Sequence, residues 1–250
     1  MSGHSKWSTI KRKKGAEDAK RGKIFTRLAR EITMAARNGG DPDSNPALRL
    51  AVDKARAANM PKDNILRAIA RGTGEGDDAT NLEEVTYEGY GPHGVAVLVD
   101  VVTDNKNRTL AEVKHVFSRS GGSLASQGSV TWQFEQKGLI SLSSEGVDFD
   151  ELFLVAAEAG AEDVQNDGES IAIYTPRDSL AEVARALRDN GYTIEDSELT
   201  WVAKNEIALD KESTLRVMAM IEKLEELDDV QHVSSNLEIS DEALEALTAA

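Results

Sequence analysis

Apolar positions recur at helical spacing through residues 20–71 and turn mostly strand-like beyond the Gly/Asp-rich stretch 72–78. In the first region, at about 100° per residue, Ile24, Phe25, Leu28, Ile32 and Ala36 fall on one side of a single helix. Lys20, Lys23, Arg27, Arg30 and Arg37 fall opposite, within roughly a 100° arc, so five cations are expected to line up toward solvent. Asn38-Gly39-Gly40 is expected to end that helix. Ala47–Ala58 and a segment opened by Pro61 and closed by Gly72 read as two further helices, joined at Asn59-Met60-Pro61.

Strands dominate next. Glu84–Tyr90 and Val95–Thr103 flank the turn Gly91-Pro92-His93-Gly94 as a hairpin, and the nearly continuous apolar run Val95–Val102 predicts a central strand. Thr109-Leu110-Ala111-Glu112 reads as a capping box starting a helix with Leu110, Val113 and Phe117 inward. The alternation of Val130, Trp132 and Phe134 predicts a strand. From Gly138 the pattern is strand, helix, strand, strand, helix, strand: Leu139–Leu142, a helix capped by Asp148, Glu162–Gln165, Ser170–Thr175, a helix capped by Ser179, and Thr193–Val202. That order is a ferredoxin-like sandwich. A strand at Ile207–Leu209, a helix at Glu212–Leu227 and a strand at Val230–Ile239 follow, and they supply the second helix that the unit of residues 95–134 lacks.

The expected architecture is α+β in three domains. Residues 1–78 form a basic helical domain, residues 79–136 and 206–240 a split α/β domain, residues 137–205 an inserted ferredoxin-like domain, and residues 241–250 an acidic tail. A short internal echo, Glu162-Asp163-Val164-Gln165 and Asp228-Asp229-Val230-Gln231, leads from helix to strand in both α/β parts.

Charge changes this picture more than composition does. The 250 residues carry a net charge of −15, yet residues 1–74 hold 17 Lys/Arg against 7 Asp/Glu, and the remainder 12 against 37. A cationic end on an anionic body is the pattern of a basic arm that meets a polyanion. Lys6, Lys11, Arg12, Lys13 and Lys14 continue the charge into the N-terminal segment, where Trp7 either stacks on a base or ribose or packs against the helical domain. Aromatic residues make up only 5%, which argues against an extended stacking surface. There is no cysteine, so disulfides and thiolate metal sites are excluded, and a reducing, cytoplasmic setting is expected. The longest apolar run is short and interrupted by Asp100, so no membrane span and no membrane partner are expected.

Catalytic constellations are missing. His4, His93, His115 and His232 are scattered without metal-ligand spacing, no nucleophile elbow or dinucleotide fingerprint appears, and Asp148/Glu151 and Ser179/Glu182 sit at capping positions. The chain reads as no enzyme, with no catalytic residues, no metal and no cofactor. The Gly/Ser-rich stretch Ser118–Ser129 is a lesser candidate for cradling a phosphate with backbone amides.

Five blocks, Gly3-His4-Ser5-Lys6-Trp7, Asp18-Ala19-Lys20-Arg21-Gly22-Lys23-Ile24-Phe25, Asn59-Met60-Pro61-Lys62-Asp63-Asn64-Ile65, Tyr87-Glu88-Gly89-Tyr90-Gly91-Pro92 and Gly128-Ser129-Val130-x-Trp132-x-Phe134, resemble the YebC/PmpR family in order and spacing over nearly the full length. Arg12 stands where many members have His, and Gly15 where Ala is usual. The resemblance implies a helical N-terminal domain, two α/β domains and a non-enzymatic role in gene expression. Bacterial members are labelled probable transcriptional regulators that bind DNA. Mitochondrial relatives act as translational activators, and help to ribosomes at difficult sequences such as proline runs has been proposed. The implied partner is therefore nucleic acid, either DNA or ribosomal RNA, with the ribosome as an assembly to engage. Two other readings remain: a small-molecule-sensing module, and an adaptor whose acidic domains dock a basic protein. Oligomeric state is not legible in the sequence.

Overall fold

The aliphatic run at 95–102 ends up where its composition demands, in the middle of a sheet. The computed structural model describes residues 18–75, 82–240, 242 and 243, with the backbone alone for 18–21. Helices α1 (Asp18–Ala36), α2 (Pro46–Ala57) and α3 (Lys62–Thr73) come first. β1 (Glu83–Tyr90), β2 (Ala96–Thr103), α4 (Lys106–Arg119) and β3 (Ser123–Leu124) follow. Next are β4 (Phe134–Ser143), α5 (Phe149–Glu158), β5 (Asp163–Asn166), β6 (Ser170–Pro176), α6 (Leu180–Asp189) and β7 (Asp196–Ala203). β8 (Ile207–Ala208), α7 (Lys211–Glu225), β9 (Val230–Ser235) and β10 (Leu237–Glu238) complete the order. The chain divides into two compact units. Among described residues, one contains 82–135 and 201–240 together with the start of α1, and the other contains 24–75 and 136–200.

In the unit of residues 24–75 and 136–200, the apolar faces of α1, α2 and α3 meet in a core of Leu28, Ile32, Leu48, Val52, Ala55, Met60 and Ile65. Asn45 accepts from the Leu48 amide as N-cap of α2, while its own amide group donates to the carbonyls of Ala35 and Gly39 at 2.8 Å each. One side chain thus ends α1 and starts α2. Helix α3 runs past Gly72, where closure was expected, and is capped instead by Gly74 in the left-handed region. Gly72 serves close packing: a Cβ there would overlap the Thr33 carbonyl oxygen and lie 2.6 Å from Ala36 Cβ. The Thr33 hydroxyl donates to the Ala68 carbonyl at the same contact.

The second part of this unit runs β4-α5-β5-β6-α6-β7, with sheet order β5-β6-β4-β7, the ferredoxin-like arrangement. Ile140, Leu142, Ile171 and Ile173 of the sheet pack on Leu152, Val183 and Leu187 of the two helices. Asp148 caps α5 through the amides of Asp150 and Glu151. Ser179 does not cap α6 with its side chain, because residues 177–179 form a 3-10 turn that leads straight into the helix. β7 begins at Asp196 rather than Thr193.

In the other unit the sheet order is β3-β1-β2-β9. β1 and β2 pair antiparallel, Glu83 opposite Thr103 and Tyr90 opposite Ala96, and β9 pairs with β2, Val233 opposite Val99. β2 is buried on both faces. Val97, Val99 and Val101 point to a core with Phe117 of α4 and Val217, Met218, Ile221 and Leu224 of α7, whereas Ala96 and Leu98 meet Val130, Phe134 and Trp201.

Two local expectations for this unit are corrected. Helix α4 starts at Lys106 with Asn105 as N-cap, so Thr109 lies inside it. The Thr109 hydroxyl sits 2.5 Å from buried Asp229, which also accepts from Thr103 and Arg108, and that carboxylate claims the hydroxyl that a capping box would have used. Residues 131–133 form a 3-10 turn rather than a strand, and β4 starts only at Phe134.

Candidate nucleic-acid interface

Helix α1 buries Leu28, Ile32 and Ala36 and leaves Ile24 42% exposed. On the opposite side Lys23 and Arg37 are exposed, while Arg27 and Arg30 are half-buried. The expected row of solvent-facing cations is therefore uneven, since long arginine stems lie along the helix surface and shelter part of themselves. The Lys23 ammonium donates to the backbone carbonyl of Glu226 at 2.9 Å, both residues belonging to the unit that contains β1 and β2. Lys6, Trp7, Lys11, Arg12, Lys13 and Lys14, and the side chain of Lys20, lie outside the described residues.

The other cations of the helices divide into engaged and available. Arg49 is bound to Asp43 at 2.8 Å, and Arg56 lies 3.5 Å from Asp53. Lys54 is fully committed: its side chain, 18% exposed, lies 2.8 Å from Glu198, 3.4 Å from Asp196 and 3.7 Å from Glu31. Burial by itself would lower the Lys54 pKa, but Glu198, Glu31 and Asp196 together hold it well above the ordinary lysine value. On α3, Lys62, Leu66 and Arg67 are exposed, with Arg67 turned onto Asn64. Helices α2 and α3 are joined by residues 58–61, in which Asn59 adopts φ 59°. The sequence places this junction at Asn59-Met60-Pro61, and the structure agrees.

The end of the Gly/Ser-rich stretch and the turn that follows it already hold an anion, a carboxylate of the chain itself. Glu88 on β1, 4% exposed, accepts from the amides of Gly128 at 2.6 Å, Val130 at 2.7 Å and Thr131 at 2.9 Å. Burial would raise the Glu88 pKa, yet the Thr131 hydroxyl and the three amides outweigh it and hold the carboxyl below the usual range. A carboxylate supplied by the chain itself thus fills the anion nest. The loop rigidly presents Trp132, 67% exposed, a residue the sequence reading placed in a strand.

An open cleft of about 460 Å³ lies in the same unit, lined by His93, Ser120, Arg216, Met220 and Lys223 among others. Arg216 is paired with Glu212 at 2.6 Å, which offsets one of its cations. Among the described residues no group of His, Asp and Glu has the arrangement of a metal site, and no helix is long and apolar enough to cross a membrane.

Two family models match the sequence. Residues 5–75 match the model described as the TACO1/YebC protein N-terminal domain, and residues 82–237 match the TACO1/YebC second and third domain. A protein of Acidithiobacillus ferrooxidans named "Probable transcriptional regulatory protein" is 56% identical over 250 residues, covering 100% of this chain and 99% of the relative. Proteins of the same name are 50% identical in Trichlorobacter lovleyi over 248 residues, covering 99% of this chain and all of the relative, and 52% identical in Francisella tularensis over 250 residues, with the same coverage. The crystal structure of the conserved hypothetical protein Aq1575 from Aquifex aeolicus superposes with a TM-score of 0.85 at 47% identity, covering 91% of this chain and 94% of that one.

Proposed function

The chain belongs to the TACO1/YebC family, and from that premise we propose that it is a non-enzymatic regulator of gene expression that binds nucleic acid through its basic N-terminal region. The observation that carries this reading is the charge division, 17 Lys/Arg against 7 Asp/Glu in residues 1–74 and 12 against 37 in the rest. The long-range field draws phosphates to the first part rather than to the second taken as a whole, so the encounter is oriented before any base is read. The relatives' name, probable transcriptional regulatory protein, supports DNA as the partner.

A second reading, a translation factor on ribosomal RNA, is favoured by one observation. Arg49, Lys54 and Arg56 of α2 are tied to carboxylates, and Arg67 of α3 is turned onto Asn64, so few side chains on this helix pair are left to read base edges. Binding directed by phosphate charge and shape needs no such readers. Crosslinking of the full chain to nucleic acid in growing cells, followed by sequencing of the attached strands, separates the two. Enrichment of promoter DNA supports the first reading, enrichment of ribosomal RNA the second, and recovery of neither above a non-binding control refutes both.

A further inference from the structure

Trp132 is an anomaly in a chain whose aromatic content is 5%. Its neighbours at 130 and 134 are buried at 0% and 3% exposure, anchored among Ala96, Leu98 and Trp201, and the turn between them throws the indole outward to 67%. Its polar atom is already satisfied, since Nε1–H donates to the Ser129 carbonyl at 3.0 Å. The same carbonyl accepts from the Tyr90 hydroxyl at 3.2 Å. The turn is held from beneath by the three amides bound to Glu88 and from the side by residues 204 and 236. The Gln133 carbonyl accepts from the Lys204 amide at 2.8 Å, and the Gln133 side chain lies 3.3 Å from the Asn236 side-chain amide. The Lys204 ammonium donates to the Trp132 carbonyl at 3.1 Å. What the solvent meets is thus an indole tied at its nitrogen, with an exposed ammonium bound to the backbone carbonyl of the same residue.

We propose that Trp132 and Lys204 form a nucleotide subsite in which the indole stacks on an unpaired base and the ammonium meets a neighbouring phosphate. The proposal rests on the nucleic-acid reading above and adds a second point of contact, at residues distant in sequence from the basic arm. A base offers the flat π surface that matches an indole whose N–H is already engaged, and stacking of this kind accepts any base. A paired base inside a duplex hides its faces, so the partner is a single-stranded or looped segment. The surroundings argue against a protein hot spot. Among the described residues no other large apolar side chain of 122–135 or 201–206 is strongly exposed, and the loop is built of Ser126, Gln127, Gly128 and Ser129, whereas protein interfaces centre on a contiguous apolar cluster.

The test uses the full chain and two labelled probes of equal length, a single-stranded adenine-rich RNA and an abasic oligonucleotide, with binding read by fluorescence anisotropy. Trp132→Ala is expected to weaken RNA binding about tenfold while leaving abasic binding unchanged, and Trp132→Phe to restore most of the loss. Lys204→Ala is expected to lower the log–log salt slope by about 0.7. Unchanged thermal midpoints for the variants assign these effects to the surface. Wild-type binding that is undiminished in Trp132→Ala overturns the subsite and leaves the arm-based reading intact. Failure of the wild type to bind either probe overturns both. Displacement of the RNA by micromolar adenosine monophosphate overturns the assignment to nucleic acid in favour of a free nucleotide.

Discussion

Replacing Glu88 by glutamine changes one oxygen and should unsettle a whole loop. In the native chain Oε1 accepts from Gly128, and Oε2 accepts from Val130 and Thr131. A glutamine has one acceptor oxygen, so in either orientation at least one buried amide loses its partner and faces an NH2 group instead. A hydrogen bond to a charged acceptor contributes about 1.5–3 kcal/mol, and an orphaned buried donor costs about 1–3 kcal/mol. We expect a local penalty of about 2–4 kcal/mol for Glu88→Gln. Hydrogen exchange at Gly128, Val130 and Thr131 reads this directly, because opening by that amount speeds exchange by roughly 30- to 1,000-fold.

The wild type should show the same loosening on acidification. Its folded carboxyl titrates below the unfolded one, so the contribution is fully present above about pH 4.3 and is lost as pH falls through the lower folded value. Glu88→Gln should lack that acid-dependent component. Exchange at the three amides within twofold of wild type at neutral pH would refute the idea that this carboxylate organises the turn carrying Trp132.

Lys54→Met leaves Glu31, Asp196 and Glu198 without their cation and should cost about 3–5 kcal/mol, read in urea unfolding. An unfolding free energy within about 1 kcal/mol of wild type would contradict the assignment. Gly72→Ala should destabilise by about 1–3 kcal/mol although alanine is the better helix former, since its methyl meets the Thr33 carbonyl and Ala36. A raised thermal midpoint for that variant would show that α1 and α3 do not pack there. Thr109→Val removes a donor to Asp229 and keeps the shape. It should cost about 1–3 kcal/mol by urea unfolding, and Thr109→Ser should recover most of it.

Much of the fold is legible in the sequence because local signals and tertiary packing agree. Ile32 and Ala36 bury as their spacing requires, Asp148 caps α5, and the unbroken apolar run of β2 reports burial on two faces. Where the reading fails, a partner distant in sequence decides. Thr109 has the spacing of a capping box, but Asp229, 120 residues later, takes its hydroxyl. Val130 and Phe134 alternate with Trp132 as in a strand, yet buried–exposed–buried alternation is also satisfied by a single 3-10 turn wedged between two anchors. Gly72 has the composition of a helix stop, and only the crossing of α1 reveals why a glycine is needed inside α3.

The site is less legible than the fold for the same reason. Net charge along the sequence does not distinguish a cation facing water from one consumed by its neighbours. Lys54 counts as positive in the sequence but lies among three carboxylates, and Arg27 and Arg30 are half-buried rather than displayed. The Gly/Ser-rich stretch has the composition of an anion-binding loop, and at its end Gly128 binds one, the chain's own Glu88.

The proposed binding of nucleic acid depends most on the cationic N-terminal segment acting as the grip on phosphates. Its most direct test is the salt dependence of nucleic-acid affinity for the intact chain and for the variant Lys11→Ala/Arg12→Ala/Lys13→Ala/Lys14→Ala. With about five phosphates engaged, the intact chain should give a log–log slope near −3.5 on single strands and about −4.5 on duplex DNA, falling to about −1 in the variant. A variant that keeps the full slope and affinity would contradict the account.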